Sequence, residues 1–158
     1  MEIAPIIVVV SFCLSCYGLA VASAVLPWLN AELMVLAVAG QAPSPARLAA
    51  IAMLATAGQV TGKAIVYWAA RRATNAGASH LPTRVEAWRA RAASRSAHPF
   101  AWALLSAVVG VPPLYVVTLL AGAARLSFPR FLCVTAAGRL VHFAALLAAP
   151  QVLQLVLR

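Results

Sequence analysis

Three ionisable residues, Glu32, Lys63 and Arg139, stand inside apolar stretches of this chain. Such groups are costly in an apolar medium, so they relay protons, pair with one another or hold charged cargo. Glu32 follows the break formed by Pro27 and Asn30 in "PWLNAE" and opens the next apolar run, where a helix N-terminus favours a carboxylate. It is a candidate for moving a proton. Lys63 is far from both Arg47 and the basic run that starts at Arg71. It can pair with Glu32, contact a phosphate, or extend its amine toward an interface. Together Glu32 and Lys63 form a candidate proton- or ion-coupling pair. Arg139 and His142 are three residues apart and share one face of a helix. A guanidinium is suited to forked contacts with a phosphate, and His142 reads more simply as a structural neighbour.

The composition decides what kind of element must carry these groups. The chain has 158 residues, 64% of them hydrophobic and only 9% charged, against roughly 25% charged in ordinary globular domains. It contains no Asp. Such a chain cannot build an ordinary water-facing surface, which points to an all-α integral membrane protein. A net charge of +9 would suggest nucleic acid in a soluble domain; here it fits loops facing anionic headgroups, and no nucleic-acid partner is expected.

The order of parts repeats. A proline-broken apolar segment over about 14–40 is followed by the turn "GQAPSPAR" and a continuous span over about 46–70. A basic loop, 71–98, comes next. A second broken segment, 99–124, is interrupted at Gly110, Pro112 and Pro113, and a last span covers about 128–150. Two adjacent prolines cannot continue a helix. A broken segment in a membrane is tolerable where it is buried in protein or lines a wet cavity, so each reads as a re-entrant helical hairpin followed by a transmembrane helix, within one membrane domain. Charge supports the topology: eight Arg fall in 71–98 and 125–130, while only Arg47 and Arg158 lie on the opposite side. With both of those loops cytoplasmic, 99–124 must enter and leave on one side, and the two halves are inverted, as in many transporters.

Four stretches carry a family resemblance: "LPWLNAELMVLA", "GQVTGKAIVYWAAR", "PPLYVVTLLAGAARLSFPRF" and "GRLVHF". In order and spacing they resemble the DedA/VTT membrane proteins, in particular the small YqaA-like branch, from about residue 26 to residue 143. The resemblance implies opposed re-entrant hairpins in a multi-pass protein of the bacterial inner membrane. It also implies a flippase or scramblase of polyprenyl phosphate or phospholipid, with proton coupling and a part in envelope homeostasis. The chain departs from the family pattern at "GVPPLY", which lacks the arginines of G-R-x-x-P-x-x-R, and at Lys63, which stands where an acidic residue is common. A headgroup site must then come from Arg139, with Arg125, Arg130 and His142 as further candidates. Membrane lipids with anionic headgroups are the expected partners, self-association into a homo-oligomer stays open, and the alternative is a non-transporting structural or assembly factor.

The remaining motifs read more plainly. Gly58 and Gly62 form G-x-x-x-G, which lets a neighbouring helix approach; Gly122 and Gly138 are assigned the same packing role. Cys13 and Cys16 form C-x-x-C inside an apolar run with no His or acid beside them, so they read as small packing residues. The apolar start has Glu2 but no Lys or Arg, unlike a cleaved signal peptide. The loop "TRVEAWRARAASR" reads either as a helix lying on an anionic surface or as a solvated loop. No phosphate-binding glycine loop, metal cluster or nucleophile–base pair is present, so neither an enzyme nor a cofactor is expected.

Overall fold

The computed structural model describes the backbone of residues 3–39, 44–75, 87 and 99–156, and the side chains of those from 6 to 149. Six helices are found among them: α1 (Ile3–Val25), α2 (Ala31–Ala39), α3 (Pro45–Asn75), α4 (Pro99–Val109), α5 (Leu114–Ala123) and α6 (Phe128–Val156). No strand occurs among the described residues. Stretches within α1, α3 and α6 are long and apolar enough to cross a membrane: Ile6–Val25, Pro45–Asn75 and Phe128–Ala149. The described residues are all-helical, and the three long apolar helices are consistent with the membrane class read from composition. The surface helix expected within 83–95 falls outside the described residues, apart from Ala87.

Both expected interruptions are present. The first differs in extent from the expected segment at about 14–40, because α1 runs unbroken to Val25 and the break lies at 26–30. Nothing in "VVVSFCLSCYGLAVASAV" stops a helix; Pro27 is the first residue that does. Asn30 then restarts the chain as an N-cap, its Oδ1 accepting the backbone N–H of Glu32 at 2.8 Å and of Leu33 at 3.2 Å. Ser44 caps α3 in the same way, accepting from the Arg47 N–H at 3.4 Å, ahead of Pro45 at the first helical position. The second interruption follows Gly110, whose φ of +84° is open to glycine at no steric cost. The α3 helix extends to Asn75, five residues into the stretch expected to be loop, because "RRATN" contains no breaker.

The chain divides into two compact units, Met1–Gly62 with Leu140–Arg158, and Lys63–Arg139. Each holds one helical pair and half of each long helix.

In the first unit α1 packs against α2. The G-x-x-x-G of α3 lies on α1: a Cβ added at Gly58 would meet the Ala20 Cβ and the Tyr17 carbonyl oxygen, both at 2.6 Å, and Gly62 lies against Ala24 and Val21. Residues 20 and 24 thus pair with 58 and 62 in the same order, so α1 and α3 run parallel. After the break at 26–30, α2 packs against α1 ahead of α3. Val25 ends α1 level with Gly62, just over half-way along α3. A core of Ala20, Val35, Ile51, Ala55, Phe143 and Leu147 joins these helices to the end of α6.

In the second unit α4 packs against α5, with Ser106 Oγ donating to the Pro112 carbonyl at 2.5 Å across the turn. With 11 and 10 residues, each helix is about 15–17 Å long, half the hydrocarbon thickness of a bilayer. Gly138 of α6 lies on Ala107 of α4, and Gly122 of α5 lies against Tyr67 and Ala70 of α3. The fully buried Tyr67 organises this end: its hydroxyl donates to the Leu126 carbonyl at 2.5 Å and accepts from Arg71 at 3.2 Å, and its ring packs on Phe128 and Phe131.

Candidate functional site

Lys63 and Arg139 are both buried in the second unit, at 3% and 8% exposure. Each follows a glycine that brings its helix against another: Gly62 precedes Lys63 and Gly138 precedes Arg139. The two cations lie within Coulombic reach of one another. Lys63 Nζ also stands 5.5 Å from the ring centroid of Tyr115, at the start of α5, where the ring's negative face offsets part of the charge. Two like charges buried together raise each other's energy, and a shared anion lowers it.

Glu32 and His142 belong to the first unit. Glu32 Oε1 is 3.1 Å from His142 Nε2, with the two side chains 41% and 15% exposed. The Glu32 carboxylate thus has a partner on α6, 110 residues away in sequence. His142, a headgroup candidate by sequence, engages this carboxylate. The ring also meets Phe143 edge-on at 5.6 Å.

Arg125 and Arg130 are exposed. Arg125 occupies the left-handed position after α5, at φ 56°, in a turn closed by Leu126 N–H to the Ala121 carbonyl at 3.0 Å, and its guanidinium donates to Asn75. Arg130 is nine residues before Arg139, which places it about 14 Å away along the helix axis. These two arginines suit an interface, not the interior. Pro27, Gly110, Pro112 and Pro113 sit in the two turns, and exposed apolar side chains decorate both: Trp28 at 76% in one, Val111 at 69% in the other. Among the described residues no group of three His, Cys, Asp or Glu could hold a metal. Cys13 and Cys16 are free thiols, the second buried.

The structure also exposes a repeat of residues beneath the repeat of parts. "AVASAV" ends α1 and "ALLSAV" lies near the end of α4, so that Ala20, Ser23 and Ala24 correspond to Ala103, Ser106 and Ala107. All six are buried. The same offset aligns Ala31 with Leu114 and Glu32 with Tyr115. In the long helices "QVTGKAIVY" corresponds to "TAAGRLVHF", which aligns Gln59 with Thr135, Lys63 with Arg139 and Tyr67 with Phe143. Gln59, Thr135, Tyr67 and Phe143 are all at most 1% exposed. Gln59 Nε2 donates to Ser23 Oγ at 2.7 Å and to the Ala20 carbonyl at 3.3 Å, fixing α1 to α3 beside the glycine contact. In each half, the second residue of the short return helix meets the other half's long helix: Glu32 meets His142, and Tyr115 meets Lys63.

Comparison with protein families, characterised proteins and solved structures gives no match.

Proposed function

We propose that this protein moves a phosphate-bearing lipid across a membrane, as a flippase or scramblase of polyprenyl phosphate or phospholipid. The observation that carries the proposal is the burial of Lys63 and Arg139, within Coulombic reach of one another, in the middle of two apolar helices. Burying two cations is expensive, and an anion arriving between them offsets that expense. Arg139 supplies the fork for phosphate oxygens and Lys63 a compact charge.

The helical arrangement supports the reading. The parallel run of α1 and α3, and a return helix of nine residues, suit a re-entrant hairpin whose tip reaches mid-depth. The α4–α5 pair suits a second. In one unit the start of α3 packs with the end of α6; in the other the end of α3 packs with the start of α6. Opposed senses of that kind, with Lys63 and Arg139 at equivalent positions, fit an inverted repeat. The sequence resemblance to DedA/VTT proteins of the bacterial inner membrane points the same way. Glu32, bonded to His142, is the group that would couple movement to a proton.

The test is transbilayer movement of labelled lipid by the purified protein in liposomes. Labelled anionic phospholipid or polyprenyl phosphate should become accessible from the far leaflet faster than in protein-free liposomes. Equal rates with and without protein would leave the non-transporting, structural role as the reading to adopt.

A further inference from the structure

The first unit contains a groove of about 390 Å³ lined by Val8, Val9, Phe12 and Cys13 of α1, Val38 of α2, and Arg47, Ala50 and Leu54 of α3. We propose that it seats one acyl chain of an anionic glycerophospholipid, with the headgroup phosphate on Arg47. The proposal rests on the membrane-spanning placement of α1 and α3 and not on transport.

Shape and charge choose the occupant. The volume lies at the low end of small-ligand sites, which suits a single flexible chain. The walls are branched and aromatic side chains, whereas close helix docking in a membrane favours small residues. In the same unit that kind of face, Gly58 and Gly62, is already occupied by α1. Arg47 is the one cation in residues 3–62 of the sequence, and it stands at the start of α3, where a bilayer's headgroups begin if α3 spans. A guanidinium in the wall of an otherwise apolar groove complements a phosphate whose tail fills the rest. The groove shares no residue with the Lys63–Arg139 pair, so it would hold a resident lipid, not cargo.

Cys13 lines the groove and supplies the probe. With Cys16→Ala and Cys133→Ser, a bimane label on Cys13 is read in vesicles of phosphatidylcholine and phosphatidylglycerol in equal amounts, with one or the other lipid brominated on its chains. Brominated phosphatidylglycerol should occupy the groove in preference by about fivefold, the ratio equivalent to about 1 kcal/mol for one cation at an anionic lipid. Arg47→Gln should abolish the preference and Arg47→Lys should keep it. Equal quenching by both lipids, or a preference that survives Arg47→Gln, overturns the proposal. Quenching by neither also overturns it, and a pyrene label at Cys13 separates the causes. Excimer emission would show a second copy in the groove; its absence would show that α1 lies outside the bilayer, which removes the membrane placement as well. Lipid translocation is not read in this assay, so failure at Arg47 leaves the transport proposal standing.

Discussion

Replacing Gly58 and Gly18 by alanine, one at a time, separates close helix packing from helix propensity. Gly18 lies within α1, and a Cβ there has nothing within 4 Å. Gly18→Ala should stabilise the protein by about 0.5–1 kcal/mol, through lower chain entropy alone. At Gly58 the new Cβ lies 2.6 Å from both the Ala20 Cβ and the Tyr17 carbonyl oxygen. Carbon atoms prefer about 3.5–4.0 Å, so α1 and α3 must part by about 1 Å. Ala20 is fully buried and has no space to yield. Overpacking of this kind costs about 1–3 kcal/mol. Since the propensity gain is common to both variants, the difference between them isolates that cost. For a chain of this size it corresponds to a melting temperature about 2–12 °C lower for Gly58→Ala than for Gly18→Ala. The assay is thermal unfolding in detergent, followed by a thiol-reactive dye at the buried Cys16 with Cys13 and Cys133 replaced by serine. Equal melting temperatures, or a more stable Gly58→Ala, would refute the contact between α1 and α3 and the parallel run inferred from it.

Other predictions address the remaining parts. Tyr67→Phe removes the donor to the partly buried Leu126 carbonyl and should cost about 1–3 kcal/mol in the same thermal assay. Cysteines introduced singly at Ala73 and Ser127 should both react with an impermeant maleimide from one side of the membrane, and a cysteine at Ala46 from the other; labelling of Ala73 and Ser127 from opposite sides would contradict the hairpin reading of 99–124. Glu32→Gln should change stability by at most about 1 kcal/mol, because the pair with His142 is partly exposed, yet should remove the pH dependence of lipid movement. A pH profile identical to the parent's would take Glu32 out of any coupling role.

Much of the architecture was legible because helix breakers speak locally. Pro27, Asn30, Gly110, Pro112 and Pro113 marked both turns, and the long runs between basic stretches marked α3 and α6. The interior positions of Lys63 and Arg139 followed from their distance to either end of those runs. Pairing was less legible, because it depends on contacts distant in sequence. The Glu32 carboxylate bonds His142, 110 residues away, which only the packing of α2 with α6 brings into reach. The residue-level repeat escaped for a different reason. Its hairpin portion repeats at a spacing of 83 residues and its long-helix portion at 76, since Gly62 lies seven residues farther from the start of α3 than Gly138 does from the start of α6. No single spacing aligns both portions, so the correspondence of Lys63 with Arg139 emerges when buried positions are compared. Gln59 was passed over as one more polar residue in a span; its burial and its bonds to Ser23 and Ala20 reveal a structural clamp.

The central claim, that the buried pair of cations carries a lipid phosphate, is tested most directly by lipid movement in reconstituted variants. Labelled anionic phospholipid should cross liposomes containing the parent protein and Arg130→Ala at comparable rates, because Arg130 is exposed and distant from the pair. Arg139→Ala and Lys63→Ala should each reduce movement to the protein-free rate while still folding, as judged by the thermal assay. Movement at the parent's rate in both folded variants would contradict the account and leave Lys63 and Arg139 as structural charges.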